Sequence, residues 1–156
     1  MQKTYTLVLF LIVSTFSFTQ DSIVKSFYED GQIKFEETFK DNQRNGLWKS
    51  YYESGELSAK GWWRHGKRDG IWKEYYRNGK LKSEEVWKAG KEHGAWKEFT
   101  AEGNLSAEGV VKHDKSNGVE KFYHENGRLW IERIYKEGKL VQKTCWDEKG
   151  VRLKCR

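Results

Sequence analysis

The chain has 156 residues, enough for one domain of ordinary size, with a formal net charge of +6 and a mean hydropathy of −0.93. A hydrophobic share of 37% excludes a thick aliphatic core, while eight Trp, eight Tyr and eight Phe exclude the aromatic-poor composition of a disordered chain. No proline occurs, so strand hydrogen bonding is nowhere interrupted by a missing donor.

In chain order, the first expected element is a leader. Lys3 gives a positive start, YTLVLFLIV (5–13) is an apolar run and STFSFT follows, the layout of a secretory signal peptide. The run is too short to cross a bilayer as a helix, which takes about 20 residues. Ser17 and Thr19 are the small residues wanted ahead of a cut before Gln20, and no cysteine lies nearby to carry a lipid. The sequence therefore predicts a signal peptide over 1–19 and a mature domain over 20–156. The protein is then exported, to a periplasm or to the extracellular or outer surface.

From residue 22 onward the chain repeats itself. Gly46, Gly70, Gly94 and Gly118 stand 24 apart, as do Gly31, Gly55, Gly79, Gly103 and Gly127. Ile33, Leu57, Leu81, Leu105 and Leu129 keep the same interval, and so do Trp48, Trp72 and Trp96. Gly66, Gly90 and Gly138 form a further column, with Asp114 in the missing place. Each unit reads G-x-W-K-x-Y-Y-x-N-G-x-L-x-x-E-x-x-W-K-x-G-K-x-x, two aromatic-rich runs alternating with two turn signals. That pattern is a β-hairpin. The turn in RNGKL (77–81) suits a three-residue loop with glycine in the left-handed position. The second turn, as in AGKEHG (89–94), needs glycines for the same reason, and Asp114 is tolerable because Asp visits positive φ readily. Repeated glycines, each costing about 1 kcal/mol inside a helix, rule out a helical reading.

The predicted fold is all-β: an elongated, single-sheet antiparallel meander of repeated hairpins. Its units span about 22–45, 46–69, 70–93, 94–117 and 118–141, with a partial unit at 142–156. The first and last are degenerate, as caps of a repeat array tend to be. In that last unit Cys145 and Cys155 flank WDEKGVRLK and are a candidate disulfide. A loop centred on Gly150 sets the two cysteines opposite each other. A loop of Glu148–Gly150 instead pairs Cys145 with Leu153 and leaves Cys155 diagonal, about 7–8 Å away and at the limit for bridging.

The string NGKLKSEEVWKAGKEHGAWKEF (78–99) resembles the MORN-repeat variant found in many bacterial proteins, and the likeness covers about residues 22–141. Departures are Glu120 at a Trp position, and Thr100 and His124 at the second aromatic. The resemblance implies a β-hairpin array. It also implies one of two roles: antitoxin component of a toxin–antitoxin pair, as some bacterial members are described, or membrane-associated or protein-binding scaffold.

Strand alternation predicts two faces. One carries Tyr75, Leu81, Ile71 and Trp87 with their equivalents Tyr51/Leu57/Trp63, Phe99/Leu105/Val111 and Tyr123/Leu129/Tyr135, and is the apolar face. The other carries the candidate binding face, Trp48, Trp72 and Trp96 with Tyr52 and Tyr76, among Ser50, Glu74, Glu98, Glu84 and Glu108. Indoles about 9–10 Å apart, two strand spacings, suit stacking on alternate sugars of a glycan or gripping an extended partner segment. The alternative is an aromatic ladder that only stiffens the sheet. Basic columns (Lys49, Lys73, Lys97, Lys121; Arg64, Lys88, Lys112, Lys136; Lys67, Lys91, Lys115, Lys139) suit an anionic lipid or polysaccharide surface, or serve simply to keep strand ends solvated.

His65, His93, His113 and His124 have no metal-ligand spacing, and no phosphate loop, nucleophile elbow or Cys/His pairing occurs. The sequence thus predicts a non-enzymatic protein without cofactor or metal. A protein partner is expected first, a glycan or anionic lipid surface second, and nucleic acid not at all.

Overall fold

The computed structural model describes residues 21–155; the expected leader lies outside the described residues. Thirteen strands among the described residues form one antiparallel sheet. They are β1 (Ser22–Phe27), β2 (Ile33–Lys40), β3 (Gln43–Tyr51), β4 (Leu57–Arg64), β5 (Lys67–Arg68), β6 (Gly70–Tyr75) and β7 (Leu81–Lys88). Then follow β8 (Lys91–Phe99), β9 (Leu105–Lys112), β10 (Gly118–Tyr123), β11 (Leu129–Lys136), β12 (Lys139–Trp146) and β13 (Arg152–Leu153). Neighbours in sequence are neighbours in space throughout, except that the two-residue β5 pairs only with β4 and β6 takes over beyond it. This is the open hairpin meander that the repeat predicts.

Two kinds of turn alternate. Three-residue loops such as Arg77–Gly79 close with Tyr76 N–H donating to Lys80 O at 2.9 Å, and Gly79 takes φ +79°. Asn78 Oδ1 accepts from Lys80 N–H, which fixes the loop locally. On the other long edge, two-residue turns put both central residues at positive φ, as at His65–Gly66 (48° and 72°) and Ala89–Gly90 (52° and 85°). Such turns match the right-handed twist of the flanking strands. Asp114 sits at φ 63°, as its residue type allows.

After each three-residue loop the returning strand carries one extra residue. Tyr51 pairs with Leu57 while Ser50 pairs with Ala59, so Ser58 is a bulge; Lys82, Ser106 and Trp130 occupy the same place in later units. A one-residue slip turns every later side chain to the opposite face. Trp63, Trp87, Val111 and Tyr135 therefore join the Trp48 and Trp72 face rather than the face of Tyr51, Leu57 and Ile71, and Glu84 and Glu108 cross the other way. This corrects the expected division into one apolar and one mixed face: both faces are mixed.

Burial is thin, as expected of a sheet with no second layer among the described residues. Trp72, Ala107, Ile131 and Cys145 are the buried apolar residues, with Glu37, Glu120 and Thr144 buried beside them. Cohesion comes from cross-strand neighbours, each pair contributing roughly 0.2–1 kcal/mol. At the end of the array, Cys145 pairs in register with Leu153 and is joined to Cys155 by a disulfide with a Cα–Cα distance of 5.5 Å. The loop is Glu148–Gly150, closed by Asp147 N–H donating to Val151 O. The diagonal arrangement thus falls inside bridging distance because the strand ends at Leu153 and the last residues leave the ladder.

Candidate binding faces

On the Trp72 face, tryptophans do not stand at equal intervals. Trp48 and Trp72 lie on β3 and β6, with Gly61 of β4 between them, and their ring centroids are 5.3 Å apart in a stacked arrangement. The missing side chain at Gly61 is the cause: a Cβ there would lie 2.2 Å from Trp72 Cδ2. Trp96 leans instead toward Gly109, where a Cβ would sit 2.8 Å from three of its indole atoms. The expected spacing of about 9–10 Å therefore fails between Trp48 and Trp72, because the Trp72 indole tilts over Gly61.

Arginines complete this cluster. Arg68 lies over both Trp72 (4.2 Å) and Trp87 (4.7 Å), and Trp63 meets Trp72 edge-on at 5.4 Å. One unit earlier Arg44 lies over Trp63 at 5.1 Å and donates to Glu37 Oε2 at 2.6 Å. Trp72 is only 7% exposed and its Nε1–H donates to Trp62 O. Rings so enclosed present little area to a ligand. Tyr52 and Tyr76 are committed too: each hydroxyl donates to a backbone carbonyl one unit on, Tyr75 O at 2.5 Å and Phe99 O at 2.7 Å. Tyr28 makes the same bond to Tyr51 O, and His124 Nε2 lies 3.0 Å from Trp146 O. These contacts staple successive hairpins.

The opposite face has two parallel rows. One is a ladder of charges in register, Lys25, Glu36, Lys49, Lys60, Lys73, Glu84, Lys97, Glu108, Lys121 and Glu132. Lys73 Nζ is 2.7 Å from Glu84 and Lys25 Nζ 3.1 Å from Glu36, and the Glu84 contact raises the Lys73 pKa. Burial, together with the Tyr123 hydroxyl's bond to Glu108 Oε1 at 2.7 Å, pushes the tyrosine up to about 12. The second row pairs Leu47 with Trp62, Ile71 with Val86, Ala95 with Val110 and Val119 with Ile134. Trp62 is 54% exposed, and Ile71, Val110 and Val119 are also exposed. Trp62 shares a 24-residue column with Val86, Val110 and Ile134, an apolar signal left unused in the expected division of faces. The tryptophan doublet at 62–63 is a second sign, since adjacent strand residues must face opposite ways.

The two-residue turns gather the remaining basic columns on one long edge, where Arg64 pairs with Lys67, Lys88 with Lys91 and Lys136 with Lys139. Among the described residues no group of three or more His, Cys, Asp or Glu is arranged to hold a metal ion, and no helix is long and apolar enough to cross a membrane.

An open single-layer sheet, built from near-identical hairpins with its side chains engaged unit to unit, defines a β-hairpin repeat protein. The MORN repeat variant family matches the chain at 20–41, 44–61, 68–89, 92–113 and 116–137, more than half its length, and the chain belongs to that family. A search of curated proteins finds no match.

Proposed function

We propose that the protein is an exported, non-enzymatic binding module that docks a protein partner on the Tyr51 face. The observation that carries this reading is the row led by Trp62, Ile71, Val110 and Val119, exposed by 40–54% in successive hairpins. A contiguous exposed apolar strip marks an interaction surface more often than scattered single residues do. It runs beside a ladder of Lys and Glu that alternates except for the run Lys49, Lys60 and Lys73, and this gives a partner fixed charges of both signs to match in register. Single-sign charge would instead favour an anionic lipid or polysaccharide. The leader-like sequence at 1–19 supports export.

The test is affinity capture from the exported fraction using the mature protein, with Trp62→Asp/Val110→Asp as its paired control. Both positions are exposed, so the double variant should keep its fold, checked by circular dichroism. A partner protein retained by the natural sequence and lost by the variant supports the reading. Equal retention by both, or retention on cell-wall glycan or anionic vesicles in place of protein, overturns it. A single small toxic protein as the captured partner would specify the antitoxin role that the resemblance raises.

A further inference from the structure

The Trp72 face holds a different kind of site, and the repeat itself reveals it. Arg44 and Arg68 occupy one column of the unit, and each lays its guanidinium on an indole of this face. One unit further on, the column reads Glu92, and the residue matching Trp63 and Trp87 is Val111. Trp96, matching Trp72, is retained. The arginine and one of its two aromatic walls are thus replaced together by smaller or oppositely charged residues, and a groove of about 290 Å³ opens over Trp96.

Carboxylates border that groove: Glu85, Glu92, Glu98 and Glu120. Glu85 is partly engaged, accepting from Trp87 Nε1–H at 3.0 Å. Glu120 is the telling residue. It is only 6% exposed, it lines the groove, and among the described residues it has neither a hydrogen bond nor an ion pair. Its register neighbour Arg133 is turned onto the Phe122 ring at 4.8 Å. Lys97 also borders the groove, but its register with Glu84 and Glu108 places the side chain on the other face. With no donor or cation of its own chain upon it, this carboxylate opens onto the groove and can accept from a cation supplied from outside.

We propose that this groove binds a guanidinium side chain of a partner polypeptide, on the Trp96 indole and against Glu120 and Glu92, repeating between molecules what Arg44 and Arg68 do within one. An indole face, a carboxylate and the planar cation are the three parts already assembled at Arg44, with Trp63 and Glu37. Planar, bidentate and stackable, guanidinium fits such a site better than ammonium does. Burial and the nearby Glu85 and Asp114 raise the Glu92 pKa, an effect that Arg68 offsets only in part and that a bound cation would relieve further.

The experiment is an NMR titration of the isotope-labelled protein with a glycine-spaced arginine peptide and with its citrulline counterpart, a neutral isostere. The Trp96 indole N–H and Gly109 amide signals should shift saturably with arginine, and citrulline should bind at least about tenfold more weakly. Glu92→Arg, which restores the column within the chain, should abolish the shifts. Glu120→Gln should weaken binding several-fold and serves as the second variant if Glu92→Arg perturbs folding. Equal binding of arginine and citrulline, undiminished binding by both variants, or the same signals responding to calcium ion alone would overturn the assignment. Because these variants lie on the opposite face from Trp62, their outcome is separate from that of the docking test above.

Discussion

Gly61→Ala is the sharpest perturbation available. The new methyl would lie 2.2, 2.3 and 2.7 Å from Trp72 Cδ2, Cε2 and Cε3, distances no real Cβ tolerates. The obstacle is a rigid indole held by Trp48 at 5.3 Å, Trp63 at 5.4 Å and Arg68 at 4.2 Å, so it cannot simply swing away. Overpacking of this kind costs about 1–3 kcal/mol, and each displaced aromatic pair adds about 0.5–1.5 kcal/mol. Against this, replacing glycine returns about 0.4–1 kcal/mol through the unfolded chain. The net loss should be about 3 kcal/mol, or roughly 10 °C in Tm for a domain of this size. Thermal and denaturant unfolding followed by far-UV circular dichroism measure it, and the near-UV signal of the stacked indoles should fall in parallel. Gly79→Ala is the contrast: nothing lies within 4 Å of its Cβ, so only the left-handed conformation, φ +79°, costs, at about 1–2 kcal/mol. If Gly61→Ala melts with or above Gly79→Ala, the indoles do not depend on the bare backbone beneath them, and the reasoning fails.

Three further outcomes follow from the same contacts. Tyr52→Phe and Tyr76→Phe each remove a staple to a carbonyl one hairpin on, and should cost about 1 kcal/mol apiece in denaturant unfolding. Arg44→Ala strips the partner from the buried Glu37 carboxylate and should cost about 1–3 kcal/mol, largely recovered when Glu37→Gln is added; absence of that recovery would contradict the pairing. Tyr123 should titrate near 12, later than an ordinary tyrosine. Between its usual pKa of about 10 and that value the folded state holds a proton the unfolded state has lost, so stability should fall as pH rises through this window. Tyrosinate absorbance and alkaline unfolding of Tyr123→Phe, which lacks this contribution, check both parts.

Glycine and leucine columns made the hairpins legible, because a turn restricts which residue can occupy it and so leaves a mark at every repeat. Bulges left none. The extra residue is Ser58, Lys82, Ser106 or Trp130 in successive units, with no type in common, since a bulge alters backbone pairing without requiring a particular side chain. Parity beyond each bulge is therefore invisible in the sequence, and simple alternation sends Trp63 and Trp87 to the wrong face. The tryptophan column was equally visible, yet its geometry depends on Gly61 and Gly109, which recur only at every second unit. Arg44 and Arg68 share a column with only two members, too few to stand out without their contacts to the indoles.

The sheet grows by edge addition with no second layer among the described residues to fold against, and small-angle X-ray scattering of residues 20–156 measures that directly. Twelve strands in succession at about 4.8 Å, most of them near 20–30 Å long, give a plate with a radius of gyration of about 18 Å. A compact domain of the same length would give about 14 Å. A value near the first, with a maximum dimension of about 55–60 Å, is expected of the open sheet; a value near the second would mean that the meander closes on itself and that neither face is open to a partner.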